Sequence, residues 1–225
     1  MMSDMSQSGK TQVEIPYGLM EYTATFKKPI IEAWSPPGPM VAAILEALEP
    51  WGFKLDGVEA TTPTKLSDYA ISFKRLRPSV TLTVGVGKVV VLAENLDWKE
   101  AEDFIATMSA GLNALMQTAK PQIQSQRLGL AMHVQLKART PQEITAPLIN
   151  PMALELLEGT VKFQGLILQG ESSSIIIDAS LAYNNALFVR IFRDHSPETT
   201  LHSVADALLN DEKRLFGVLG LEGEL

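Results

Sequence analysis

The densest group of side chains able to do chemistry is Arg190, Arg193, Asp194, His195 and Ser196, which closes an apolar run starting at Leu187. An Asp-His pair beside an arginine can bind a carboxylate or act as a general base, because histidine titrates near neutrality. The same residues also make a turn, with Asp194 or Ser196 capping a final helix and Pro197 in its first turn. The spacing favours that plainer reading. Asp178 directly follows Ile175-Ile176-Ile177. An acid in or beside a buried strand needs a partner, and Arg190 or Arg193 on the neighbouring strand could supply it as a cross-strand pair. Arg190, Arg193, Asp194, His195 and Asp178 are therefore the candidate ligand-binding residues. No catalytic, cofactor-binding or metal-ligating residue is nominated.

Other motifs carry less. Gly85-Val86-Gly87-Lys88 has two glycines and is followed by Val89. A phosphate loop needs four residues between its glycines and Ser or Thr after the lysine, so a hairpin turn or bulge is expected instead. The three histidines, His133, His195 and His202, show no metal-ligand spacing. No Gly-x-Ser-x-Gly elbow nominates a nucleophile. His133 falls on the outward phase of its strand and His202 opens the last helix, positions that suit packing or local hydrogen bonds. Lys74, Arg75, Arg77 and Lys88 form the one basic concentration, across an expected hairpin. Solvated edge charges explain it better than an anion site.

Composition removes whole classes of function. With 19 Lys+Arg against 26 Asp+Glu, the formal charge is −7, which argues against general binding to nucleic acid or anionic membranes. Zero Cys excludes disulfides, thiol catalysis and cysteine-based metal sites. Hydrophobic residues at 46% and charged residues at 20% describe a chain that can bury a core. Residues 1–10 lack the apolar stretch of a secretory signal, and the densest apolar run, 89–93, is far too short to span a bilayer. A cytoplasmic location is expected, with no cofactor.

These residues must be positioned by the elements around them. Met20, Tyr22, Ala24 and Phe26 alternate with polar residues as a half-buried strand. Beyond Pro36-Pro37-Gly38-Pro39, the spacing of Val41, Ile44, Leu45 and Leu48 predicts a short helix. Strands are expected at 58–62, 69–73 and 80–84, the last continuing through 88–92. Asp97 and Glu100 suggest a capped start for a long helix carrying Phe104, Met108, Leu112 and Leu115, ended near Pro121. The order then repeats. A clean alternation covers Arg127 to Leu136, and Thr140-Pro141-Gln142-Glu143 starts a helical segment, interrupted by Pro147 and Pro151, that reaches about Glu158. Strands are expected at 161–168, 174–180 and 187–192, and a last helix carries Leu201, Val204, Leu208, Leu215 and Leu219 on one face.

The expected class is α+β: two similar β-α-β-β-β-α halves, 17–123 and 124–225, after a flexible tail at 1–16. Their short connections demand a largely antiparallel sheet, with helices packed on one side.

Three stretches also carry a resemblance. Lys28-Pro29-Ile30-Ile31-Glu32-Ala33 resembles the Pro-Ile-Val-Glu opening of a sporadically distributed bacterial family of proteins of unknown function. Arg127-Leu128-Gly129-Leu130 is similar to that family's Arg-x-Gly-Leu strand, and Leu201-His202 with Arg214-Leu215-Phe216-Gly217 to its closing Leu-His helix. The chain departs from the family at Leu208-Leu209-Asn210-Asp211 and at Pro36-Pro37. The resemblance implies the order of elements and no activity.

The resulting expectation is a non-enzymatic binding or interaction module, with a homodimer or another protein as partner. The competing expectation is a cofactor-free enzyme or small-molecule binder with a pocket at Arg193, Asp194 and His195.

Overall fold

Strict alternation of buried and exposed residues makes the longest strands, and the computed structural model shows where each begins and ends; it describes residues 10–61, 64–77, 79–95, 101–149 and 165–222. The first half contains β1 (Thr11–Phe26), α1 (Gly38–Leu48), β2 (Val58–Ala60), β3 (Ala70–Leu76), β4 (Ser79–Gly85), β5 (Lys88–Glu94) and α2 (Ala101–Thr118). The second contains β6 (Ile123–Leu136), α3 (Pro141–Thr145), β7 (Leu166–Gln169), β8 (Ser173–Ala179), β9 (Ala186–His195), α4 (Leu201–Leu219) and β10 (Leu221–Glu222).

The protein is α+β, with one ten-stranded sheet and four helices among the described residues. Strand order is β2-β3-β4-β5-β1-β6-β9-β8-β7, and every neighbour along this path is antiparallel. The two-residue β10 pairs with β1 in parallel. Gly220, left-handed at φ 63°, ends α4 and accepts the Thr11 N–H on its carbonyl at 2.8 Å, which hands the chain to β10.

Three expectations change. Residues 11–16, expected to belong to a flexible tail, belong to β1. Pro16 hid them: between the pairs Glu14–Gln135 and Tyr17–His133, the two residues Ile15 and Pro16 face the single residue Val134 of β6, a bulge of the kind that tolerates a residue without an N–H. The strand pieces at 80–84 and 88–92 are separate, so four strands follow α1 where three were expected. Val86 and Gly87 make their hairpin turn, and no helix follows it as a phosphate loop would require. The cap of α4 is Thr200, whose Oγ1 accepts from Ser203 N–H at 3.3 Å; Asp194 lies within β9, and Ser196 accepts the Thr199 N–H in a separate turn. By contrast, α3 starts where expected, with Pro141 at its first position, and a capping box not foreseen there closes the start, the Glu143 carboxylate accepting from Thr140 N–H at 2.7 Å. The Asp97 and Glu100 cap, the segment from Pro151 to Glu158, the first residues of the 161–168 strand and the last three residues lie outside the described residues.

The core lies on one side of the sheet. Met20, Tyr22 and Ala24 of β1, Leu128, Leu130 and Met132 of β6, and Leu187, Val189 and Ile191 of β9 all share the buried phase. Ile44 and Leu48 of α1, Met108 and Leu115 of α2, and Val204 and Leu208 of α4 complete the same cluster. A Cβ at Gly111 would collide with Leu82 of β4, so α2 lies directly on the strands and against Leu48 of α1. Among the described residues one acid enters this core: Glu212 of α4 is 1% exposed, and its Oε1 has no hydrogen-bond partner. Burial pushes its carboxyl up to about 7. Among the described residues, no helix is long and apolar enough to cross a membrane.

Candidate functional site

The register of β9 decides what the nominated residues can do together, since successive side chains point to opposite faces. Arg193 and His195 share the phase of Leu187, Val189 and Ile191, toward the helices. Arg190 and Asp194 share that of Phe188 and Phe192, toward the face that none of α1–α4 covers among the described residues. The group that looked contiguous in sequence is therefore split between two faces.

On the helix side, Arg193 bonds to Asp211 of α4, at 2.7 Å to Oδ2 and 2.9 Å to Oδ1. His195 lies opposite Gln126 of β6, and its Nε2 is buried without a partner. Burial, followed by the neighbouring Arg193 charge, lowers its pKa below the ordinary histidine value. A histidine held in this way favours the neutral ring.

On the open face, Asp194 takes a two-pronged bond from Arg127 of β6, at 2.6 and 2.8 Å. That bond holds the Asp194 carboxyl below its usual range. The Arg127 guanidinium also lies 4.6 Å from the Phe192 ring centre, and Arg190 approaches the same ring at 5.6 Å. Phe192 can lie there because its partner in register is Gly129, which brings no side chain of its own. A few residues along, His133 is ringed by Tyr17, Tyr183 and Phe188 at centre distances of 5.0–5.9 Å. Its Nδ1 lies 2.8 Å from Ser180 Oγ, and burial lowers its pKa.

The expected pair between Asp178 and an arginine does not form among the described residues. Register sets Ile176 opposite Arg190 and Asp178 opposite Phe188, and the Asp178 carboxylate instead accepts from Ala179 N–H at 2.7 Å. The basic concentration is also dispersed. Lys74 pairs with Glu59 at 2.5 Å, whereas Arg75 turns to the other face and donates to the Trp51 carbonyl at 2.7 Å. Among the described residues, no cluster of His, Asp and Glu is placed to hold a metal ion.

A second constellation was not nominated from the sequence. Tyr22, 1% exposed, donates its hydroxyl to Gln126 Oε1 at 3.0 Å. Gln126 Nε2 in turn donates to the Ser196 and Thr199 carbonyls at 2.6 and 2.8 Å. This buried network ties the turn before α4 to β1 and β6. The signal was present, because Gln126 falls in phase with Leu128, Leu130, Met132, Val134 and Leu136, where a polar side chain demands partners.

Against models of protein families and against curated proteins, the chain finds no match.

Proposed function

We propose that this protein is a non-enzymatic interaction module that associates with a second copy of itself through the open face of its sheet, centred on β6 and β9. The observation that carries this reading is the strip of Tyr17, His133, Phe188, Phe192 and Arg190 on a face that none of α1–α4 covers among the described residues. Aromatic and arginine side chains are the types that anchor interface centres. The same face carries both signs of charge, Arg190 and Lys88 together with Glu21, Glu94 and Asp178. On a chain of net charge −7, a mixed face is where a second copy meets least repulsion. A two-fold contact there can set Arg190 against an acid of the other copy.

The enzyme reading has less support. Of the charged groups beside His195, Arg193 is bonded to Asp211 and Asp194 to Arg127, so neither is at hand to bind a substrate or orient the ring.

We further infer that the chain consists of two similar units. In support, β1 and β6 open their halves and meet at the sheet centre, and each is flanked outward by the last strand before its half's closing helix. The order β3-β4-β5-β1 is mirrored by β6-β9-β8-β7.

Light scattering tests the association. At tens of micromolar the protein should have twice its chain mass of 24.6 kDa, and Phe192→Glu should return it to the chain mass with its melting transition retained. A wild-type monomer overturns the reading, as does a dimer indifferent to Phe192→Glu and Arg190→Glu.

A further inference from the structure

We propose that the hollow between α2 and the start of α4 is a binding site for a small, uncharged, largely apolar molecule carrying a hydroxyl donor. The hollow has a volume of about 420 Å³. A water molecule takes up about 30 Å³ of liquid, so the space corresponds to on the order of 14 non-hydrogen atoms.

The chemistry of the lining selects the ligand. Phe26 and Val89 belong to the sheet beneath, Leu112, Leu115 and Met116 come from α2, and Leu201 opens α4. Among the described residues no Asp, Glu, Lys or Arg lines the hollow, and His202 at its edge has its Nε2 3.6 Å from the Asp206 carboxylate of its own helix. A charged ligand would lose its hydration without gaining a counter-charge, whereas an aliphatic chain or ring is received by apolar walls.

The polar end of the ligand is specified by the Tyr22–Gln126 network, since both residues line the hollow. Tyr22 has committed its only proton to Gln126, and Gln126 has committed its amide hydrogens to the two carbonyls. Those carbonyls also fix which end of the Gln126 amide is nitrogen. The remaining capacity of this pair is for accepting: a lone pair on Tyr22 Oη and another on Gln126 Oε1. Burial pushes the Tyr22 phenol well above its ordinary pKa, so it stays protonated and its bond to Gln126 persists. An alcohol or phenol O–H complements these acceptors, and a carboxylate does not.

The test is calorimetric titration of the full chain with 4-hexylphenol and with 4-hexylbenzoate, which differ chiefly in charge and in the loss of the donor. 4-Hexylphenol should bind saturably, with 4-hexylbenzoate at least about tenfold weaker. Met116→Trp narrows the mouth at a side chain that is 40% exposed, so it should weaken 4-hexylphenol at least about tenfold without moving the melting transition. Ser109→Phe intrudes from another position of the same wall and should do likewise. No saturable binding of 4-hexylphenol overturns the site. Equal binding of the benzoate overturns the ligand class, and affinity unchanged in both variants overturns the location. The oligomeric state does not enter these outcomes, so this site and the open-face interface stand or fall separately.

Discussion

Arg193 and Asp194 are adjacent in sequence and each forms an ion pair, yet the two pairs lie on opposite faces of one sheet. Arg193 bonds to Asp211 beneath α4, with side chains 35% and 15% exposed, while Arg127 bonds to Asp194 on the open face, with side chains 51% and 42% exposed. The covered face is close-packed aliphatic core relieved by a few polar networks. The open face is a mosaic of half-buried aromatics, hydroxyls and both signs of charge. The same strands thus hold the fold together with one set of side chains and present a surface with the other, and substitutions on the two faces should have separable effects.

The largest contrast is expected within β6 and its neighbours. Leu130, 1% exposed on the covered face, should lose about 3 kcal/mol of stability on Leu130→Ala through lost burial and the cavity left behind. Leu19→Ala on the open face should cost under about 1 kcal/mol. Urea denaturation of the two variants, run at protein concentrations too low for copies to associate, reads the difference directly, and equal losses would contradict the division of the sheet into a packed face and a presented one.

The next effect is a pH dependence seated in α4. The Glu212 carboxyl is raised to about 7 from an ordinary value of 4.5. Its raised folded value makes the contribution to stability full below pH 4.5 and progressively lost as pH rises through about 7. The loss amounts to about 3 kcal/mol. Glu212→Gln should match the wild type at pH 4 and exceed it at pH 8, so thermal melts across that range should converge at the acid end. Parallel curves at every pH would contradict the buried, unpartnered carboxylate.

Gln126→Ala comes third, at about 2 kcal/mol. It strips the partner from the Tyr22 hydroxyl and from two carbonyls of the turn before α4. Urea denaturation should show that loss, with amide exchange accelerated at the start of α4; slow exchange there would mean that the turn is held by other contacts.

The smallest contrast is between the two ion pairs. Asp211→Ala should destabilise by about 1 kcal/mol and Asp194→Ala by less than about 0.5 kcal/mol, since exposed pairs are screened by water and salt. Melts at low and high salt sharpen this, because the Arg127–Asp194 contribution should fade first.

How much of this was legible in the sequence depends on the range of the interaction involved. The period-two alternation of β6 and the apolar stripe of α4 are local, and both elements stand where those patterns put them. The first residues of β1 were hidden by Pro16, because a proline inside a bulge looks the same in sequence as a strand end. The split of β4 from β5 rests on a two-residue turn that leaves little mark in a run of valines and threonines. The candidate site was harder still. Phase along β9 correctly separates Arg190 from Arg193, but the partner of each charge depends on register with β6 and β8. A shift of two residues decides whether Asp178 meets Arg190 or Phe188. Asp211, the partner of Arg193, lies on a helix whose docking no strand pattern reports. Gln126 could have been found by asking why a glutamine occupies a leucine phase.

Association through the open face is the central claim, and a chain with no cysteine allows a direct measurement. A single spin label can be placed at Thr81→Cys on the open face of β4, and in a second variant at Asp206→Cys on exposed α4. Dipolar spectroscopy should return a defined distance between copies at position 81, and a longer one or none at position 206. A defined distance at 206 with none at 81, or the featureless decay of separate monomers at both positions, would contradict the account.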